Sequence, residues 1–334
     1  MSLKAAVIGQ VVIDVVEPER PVRGIETGSR PRRLGGKGFN IGVALARLGV
    51  DVDILSAVGG DDAGERGRRQ LAAEGVSVSH LRSGTYGRGS VVITPEVSLT
   101  EGLYGAREWQ VRLDPRIDDF YRQALADLVN SSYDIVFVTL EFSDKVLVPL
   151  ATELRRARGT GPSPLIVLNP APCRQRGAPS PAVTEMLRVS DILTPNRYEA
   201  AFLTGETVCE RPDTRPADRL FDIYGVRECY VTFGELGWAW TNIGSDVEYG
   251  KQALPPAEVV DKVGASDEFT AALGVARFLG APPRLASLFA GTAAREAVGR
   301  PGGAEAFPTQ EELTIQSTGD PELDLFLKKL ASRV

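Results

Sequence analysis

Asn40-Ile-Gly-Val-Ala-Leu-Ala-Arg-Leu-Gly-Val-Asp-Val-Asp-Ile-Leu-Ser-Ala-Val58 carries the rhythm that decides the fold. Asn40–Leu48 has apolar residues at helical spacing and stops at Gly49, a natural C-terminal cap. Asp51–Val58 then reads as a strand. Upstream, Lys4–Gly9 reads as a buried strand. Downstream, Asp62–Glu74 reads as a charged amphipathic helix ending at Gly75. This β-α-β-α order predicts an α/β fold, a parallel sheet with helices on both faces.

The alternation resumes with buried strands at Tyr133–Leu140 and Pro164–Leu168 and a short one at Asp191–Leu193. Cys229–Phe233 and Trp238–Thr241 read as strands joined by Gly234-Glu-Leu-Gly237, and Glu206–Pro216 as a surface loop. Two segments break the rhythm. Val11–Arg33 lacks a helix and is rich in Pro, Arg and Gly. Between Gly84 and Leu113, Ser90–Thr94 and Leu103–Val111 carry β-formers. Two strand-like insertions in a parallel α/β chain predict a small separate sheet, a candidate lid. At the tail, Asp320 caps a helix with Pro321 at its first position. Leu323, Phe326, Leu327 and Leu330 share one face, which reads as docking on the core or, as the alternative, as a dimer contact.

Composition narrows the function. The chain has 334 residues, 43% hydrophobic and 25% charged, which excludes a disordered or collagen-like chain. Lys+Arg is 38 against 44 Asp+Glu, a net charge of −6 and a poor match to nucleic acid. Cys173, Cys209 and Cys229 form no CxxC pair, so neither a zinc ribbon nor a disulfide framework is indicated, and a reducing compartment fits. His80 is the only histidine. It follows a helix and a short β-like run and is expected to have no catalytic role, which leaves proton transfer to carboxylates. No run of about 18–20 apolar residues predicts a membrane span. The first residues lack a signal-peptide cleavage site. The expected location is cytoplasmic.

Three segments bear chemistry, each with a plainer alternative. In Ala257–Thr270 a strand-like run ends at Asp261, the small-residue turn Gly264-Ala265-Ser266 follows, and Asp267 opens the helical pattern Glu268–Leu279. Unpaired amides at a helix start attract an anion, and small residues let it approach. The plainer reading makes Asp267 a helix N-cap. Arg33-Leu-Gly-Gly-Lys-Gly-Phe-Asn40 matches neither GxxxxGK[ST] nor GxGxxG, but it can set Lys37 and Asn40 side by side over a pocket; otherwise it is a turn capped by Asn40. Ile192-Leu-Thr-Pro-Asn-Arg-Tyr-Glu199 spaces Asn196 and Glu199 to share a helix start, either around hydrated Mg²⁺ or as a capping box.

Together and in this order the segments resemble the ribokinase-like (PfkB) carbohydrate kinases, from about Lys4 to Thr309. The first signature is similar to Gly35-Gly-Lys-Gly-Phe-Asn-Ile-Gly-Val-Ala-Leu-Ala-Arg-Leu-Gly49, followed by Val58-Gly-Gly-Asp-Asp-Ala-Gly64. The second resembles Asp261-Lys-Val-Gly-Ala-Ser-Asp267. Leu168–Pro172, Pro195–Glu199 and Val231–Gly237 fall between them in family order.

The resemblance implies a three-layer α/β/α sandwich with a small β-sheet lid. Residues 1–10, 35–84 and 114–312 would form the catalytic domain, 11–34 and 85–113 the lid, and 313–334 a C-terminal helical extension. It implies transfer of the γ-phosphoryl group of ATP, with Mg²⁺, to a hydroxyl of a sugar, cyclitol or nucleoside. Asp267 matches the general base, and the amides of Gly264, Ala265, Ser266 and Asp267 the anion hole. Asp14, Gly36, Lys37, Asn40 and Glu141 match sugar contacts. Asn196, Thr232 and Gly234 match the nucleotide side, and Glu199 the water shell of Mg²⁺. Asp261 and the carbonyl of Val263 match a monovalent-cation (K⁺) site that continues near Arg300–Gly303. Small molecules are the implied partners, with neither nucleic acid nor membrane, and the lid is a candidate dimer contact.

Four departures stand out: Ser266 replaces a Gly, Lys262 a Thr, Val12 a sugar-binding Asn and Gly291 an adenine-side Asn. Val12 shifts the expectation from ribose toward a more apolar ring. Ser266 and Lys262 are the basis for a second reading, a catalytically silent sugar-binding protein. An NAD enzyme is disfavoured because no strand-GxGxxG-helix unit is present.

Overall fold

Lys4–Ile8 forms the first strand (β1), and its side chains alternate between two cores: Ala5 and Val7 enter one, Ala6 and Ile8 the other. The computed structural model describes residues 3–17, 32–84, 91–95, 132–158, 163–170, 178–244, 247–255, 258–315 and 318–330. Its further strands are β2 (Val12–Glu17), β3 (Arg32–Gly35), β4 (Asp51–Gly59), β5 (Leu81–Gly84), β6 (Val91–Pro95), β7 (Ile135–Thr139), β8 (Leu165–Asn169), β9 (Ile192–Leu193), β10 (Glu228–Thr232), β11 (Trp238–Ile243) and β12 (Val247–Gln252). The helices are α1 (Lys37–Arg47), α2 (Asp62–Ala73), α3 (Asp144–Ala157), α4 (Pro181–Val189), α5 (Arg197–Thr204), α6 (Arg215–Tyr224), α7 (Ala265–Phe278), α8 (Pro283–Val298), α9 (Gln310–Thr314) and α10 (Pro321–Leu330).

A nine-stranded sheet runs β12-β11-β10-β9-β8-β7-β1-β4-β5. Every pair from β10 to β5 is parallel, and β11 and β12 add an antiparallel hairpin. One face packs on α1, α7, α8 and α10, the other on α3, α4, α5 and α6, so the sandwich has three layers. A separate three-stranded sheet runs β3-β2-β6 and pairs Asp14 with Arg33 on one side and Val92 on the other. It continues through Gly35, one residue past the expected boundary at 34. The candidate strand Leu103–Val111 lies outside the described residues, as does Cys173. The tail helix docks as its apolar face predicts: Phe326 meets Phe289 edge-on at 5.4 Å, and Asp320 accepts the Glu322 and Leu323 N–H groups at 3.0 Å.

Three local expectations are corrected. α1 begins at Lys37 behind a Gly36 cap, so Asn40 is a first-turn residue and not the cap. α7 begins at Ala265 behind Gly264, which makes Asp267 its third residue and not its N-cap. The strand ending at Asp261 does not form. The edge position is already taken by β12, and the Val260 and Asp261 N–H groups instead donate to the Val298 carbonyl at 2.8 and 3.2 Å, closing the end of α8. Among the described residues no helix is long and apolar enough to cross a membrane.

Candidate active site

The parallel strands release their chains at one edge: β1 into Gln10, β7 into Glu141, β9 into Thr194 and Asn196, with Asn169 ending β8 and Thr232 ending β10. Outside the carboxyl ends of such strands lies the usual crevice for a ligand. α1 starts against the same edge. A Cβ on Gly38 would stand 2.3 Å from the Gly9 carbonyl carbon, so the glycine of Gly-Lys-Gly permits this approach. Gly36 precedes it, and β3 leads directly into α1, which sets the small sheet beside the crevice.

Asp267 is the centre of the site and is 4% exposed. Lys37 Nζ lies 2.8 Å from its Oδ1 and Asn40 Nδ2 donates to Oδ2 at 2.7 Å, so two residues of α1 fix both carboxylate oxygens. Burial alone would lower the Lys37 pKa, but the carboxylates of Asp267, Glu199 and Glu141 outweigh it and hold the ammonium above its ordinary value. The left-handed residue of the turn is Gly264, φ 82°, where an added Cβ would lie 2.6 Å from Phe307 Cζ. Ser266 lies inside α7, a backbone geometry open to any residue. Two of the four amides expected to form an anion hole are already hydrogen-bonded. Asp267 N–H turns back to the Gly264 carbonyl (2.9 Å) and Ala265 N–H toward that of Lys262 (3.4 Å). Gly264 and Ser266 N–H have no partner among the described residues.

Glu141 stands opposite. Its Oε2 accepts the Gln10 N–H (3.0 Å) and the Thr139 hydroxyl (2.9 Å), and the Lys37 N–H approaches Oε1 at 3.5 Å. Burial pushes its carboxyl up to about 7, against the pull of Gln10, Lys37 and Thr139. Asp14 lies on β2, and its side chain lies outside the described residues. Val11, Val12, Ile13, Leu34, Val58, Gly59, Ala63 and Gly64 line a small apolar hollow between the two sheets.

On the other flank, Asn196 and Glu199 form a complete capping box at the start of α5. Asn196 Oδ1 accepts the Tyr198 and Glu199 N–H groups, and Glu199 Oε2 accepts the Asn196 N–H. The cap does not exclude the site: Thr232 N–H donates to the Pro195 carbonyl at 2.9 Å, so β10 and the cap share the crevice edge, and the Glu199 charge reaches Lys37. Among the described residues no cluster of three His, Cys, Asp or Glu forms a chelate. Mg²⁺ keeps most of its waters, and Glu199 suits a hydrated ion better than a dry one. Gly234, φ 63°, is exposed beyond Thr232. At Gly291 a Cβ would lie 2.2 Å from the Trp238 indole, so Trp238 fills the space a side chain there would need. Lys262 is exposed and faces Glu235 at 3.4 Å, away from Asp267. His80 is half-buried in the turn before β5, outside this group.

Asp261 and Val263, the expected cation ligands, lie together on the approach to the turn, but the carboxylate is occupied. Arg33 Nη1 lies 2.6 Å from Asp261 Oδ2, and the Val263 and Gly302 N–H groups donate to it at 3.0 and 3.3 Å.

Several site residues escaped the sequence reading. Gln10 and Thr139 anchor Glu141. Beneath α7, Thr270 donates to the Ser266 carbonyl (2.8 Å), accepts from Asn169 Nδ2 (3.1 Å) and meets the Thr194 hydroxyl (2.8 Å), which ties the helix start to β8 and β9. Glu268, next to Asp267, is fully buried, and neither of its carboxylate oxygens has a hydrogen-bond partner among the described residues. Burial pushes it up to about 8, Arg47 opposing and Asp267 adding to the shift. The run Ser266-Asp-Glu-Phe-Thr270 signals Glu268 and Thr270 only once its helical register is known.

A three-layer sandwich with a buried acid at a helix start, beside an open glycine turn and at the carboxyl edge of a parallel sheet, defines an α/β protein with its candidate site at that edge. Residues 2–310 match the pfkB family of carbohydrate kinases, and the chain belongs to that family. It is 30% identical over 282 residues to the ribokinase of Bacillus subtilis, covering 84% of this chain and 86% of that one. It is 30% identical over 204 residues to the ribokinase of Haemophilus influenzae, covering 61% of each, so the chain spans about three fifths of that relative. The fold matches Arabidopsis thaliana ribokinase complexed with ribose and ATP, with a TM-score of 0.71 at 22% identity over 98% of this chain and 99% of that one.

Proposed function

We propose that this chain transfers the γ-phosphoryl group of ATP to a hydroxyl of a small sugar or sugar-like molecule, with Asp267 as general base. The observation that carries the reading is the Asp267 carboxylate, oriented by Lys37 and Asn40 at the third position of α7, beside the open Gly264 and Ser266 amides. Phosphoryl transfer asks a protein chiefly for alignment and charge stabilisation. The substrate oxygen forms its bond to the γ-phosphorus, the bond to the β,γ-bridging oxygen breaks, and the hydroxyl proton passes to Asp267. The amides of Gly264 and Ser266 and the Lys37 ammonium face the charge that develops on the transferring group. Asn196, Thr232 and Gly234 flank the nucleotide, and Glu199 orders the waters of the Mg²⁺ that accompanies it. That ion, when bound, neutralises charge on the phosphates. Asp14, Gly36, Asn40 and Glu141 hold the sugar, and the small sheet closes over it as a lid.

Val12, an apolar side chain packed beside Gly36, favours a ring with an apolar edge, such as a deoxysugar, cyclitol or nucleoside, over ribose. ADP release measured with MgATP and a panel of pentoses, hexoses, deoxysugars, cyclitols and nucleosides tests the reading. Turnover with one class supports it. A panel member that raises Tm while none raises turnover would establish the silent sugar-binding alternative.

A further inference from the structure

Arg33 lies on β3, outside the two signatures, yet it grips the approach to the anion turn. Its guanidinium Nη1 is 2.6 Å from Asp261 Oδ2. That oxygen also accepts the Gly302 N–H, and Oδ1 accepts the Val263 N–H. The three neighbours of this carboxylate are thus all donors, one with a full positive charge. Four residues along, Lys37 pairs with Asp267, which lies six residues beyond Asp261. The β3–α1 segment therefore holds both ends of the stretch that contains Gly264 and the two open amides. A monovalent cation on Asp261 would share its carboxylate with the guanidinium, and like charges at such range repel. A carboxylate engaged by three N–H groups, one of them cationic, is a poor ligand for that ion.

We propose that Arg33 stands in for the cation: it fixes Asp261, and through it the Val263–Gly264 turn, so that the protein works without K⁺. Arg33 is a positioning residue. It reaches the turn from the small sheet, so the sheet and the anion site are set together. The inference rests on the kinase reading where turnover is measured, and on the fold alone where melting is measured.

The test compares wild type, Arg33→Gln and Arg33→Lys in tetramethylammonium chloride and in KCl at equal ionic strength. Wild-type turnover should differ less than about threefold between the salts. Arg33→Gln in tetramethylammonium should lose about tenfold or more in kcat with a smaller change in sugar KM, as expected for a positioning role. K⁺ or the Arg33→Lys change should recover at least part of the loss. Saturable stimulation of wild type by K⁺ beyond threefold overturns the proposal. So does an Arg33→Gln variant that equals wild type, or one whose loss neither K⁺ nor Lys recovers. If no alcohol is phosphorylated, the kinase reading fails and melting decides Arg33: K⁺ should raise the Tm of Arg33→Gln over that in tetramethylammonium by about 2 °C or more and leave wild type unmoved, since only a bound ion stabilises specifically. An equal response overturns it. If Arg33→Gln does not fold, the wild-type response to K⁺ in turnover and in Tm decides alone.

Discussion

Glu141 is a half-buried carboxyl and Glu268 a fully buried one, and their surroundings assign them different work. Glu141 faces the crevice and accepts donors from three sides, so its loss should be felt by the sugar. Glu141→Ala should raise the substrate KM several-fold more than the ATP KM; equal changes would argue against a sugar contact. Glu268 has no hydrogen-bond partner among the described residues, and burial pushes its carboxyl up to about 8. Its protonated form suits the fold, while the unfolded chain ionises it near 4.5. The stability it contributes is therefore complete below that value and is lost as pH rises through about 8. Glu268→Gln keeps the shape and removes the charge. Its Tm should match wild type near pH 5 and exceed it near pH 9, by about 1–2 °C for each kcal/mol recovered. An equal or lower Tm at the alkaline end would contradict the account. Lys37 and Asn40 were legible from their spacing as neighbours over a pocket, and Asp267 joined them only through the family resemblance. Glu268 was not, since a carboxylate in a helix start reads as solvated until its neighbours are known.

At the scale of elements, α7 matters most, and its first residue was misplaced by sequence. Asp is the commoner cap, so Asp267 drew that role. Gly264 takes it because Phe307 leaves no room for a Cβ and the turn needs a left-handed residue. Gly264→Ala should cost about 2–4 kcal/mol, from the strained φ and the overpacked ring together, measured by urea unfolding, and kcat should fall with it. A variant as stable and as active as wild type would mean that the turn does not depend on glycine. The β-branched Val259 and Val260 misled for another reason: propensity proposes a strand only where a partner edge is free. Here β12 holds that edge and the backbone turns to cap α8 instead. The small sheet was foreseen from a missing helical pattern at Val11–Arg33, which marks it as inserted but says nothing of what its side chains touch.

For the whole molecule, the parallel order of β10 through β5 gathers residues far apart in sequence at one edge. The alternation of strands and helices made this sheet legible. The contacts that knit the edge, such as Thr270 with Asn169 and Thr194 or Arg33 with Asp261, were not, because each joins segments whose neighbourhood only the topology sets. The single claim on which the rest depends is that Asp267 takes the proton from the acceptor hydroxyl. Its most direct test is ADP release by wild type and Asp267→Asn side by side on the best alcohol of the panel, with MgATP affinity measured by calorimetry. The account predicts that kcat falls by about 10²–10⁴, the usual worth of a positioned base, while MgATP binds nearly as before. An unchanged kcat in a variant that binds MgATP normally would contradict it.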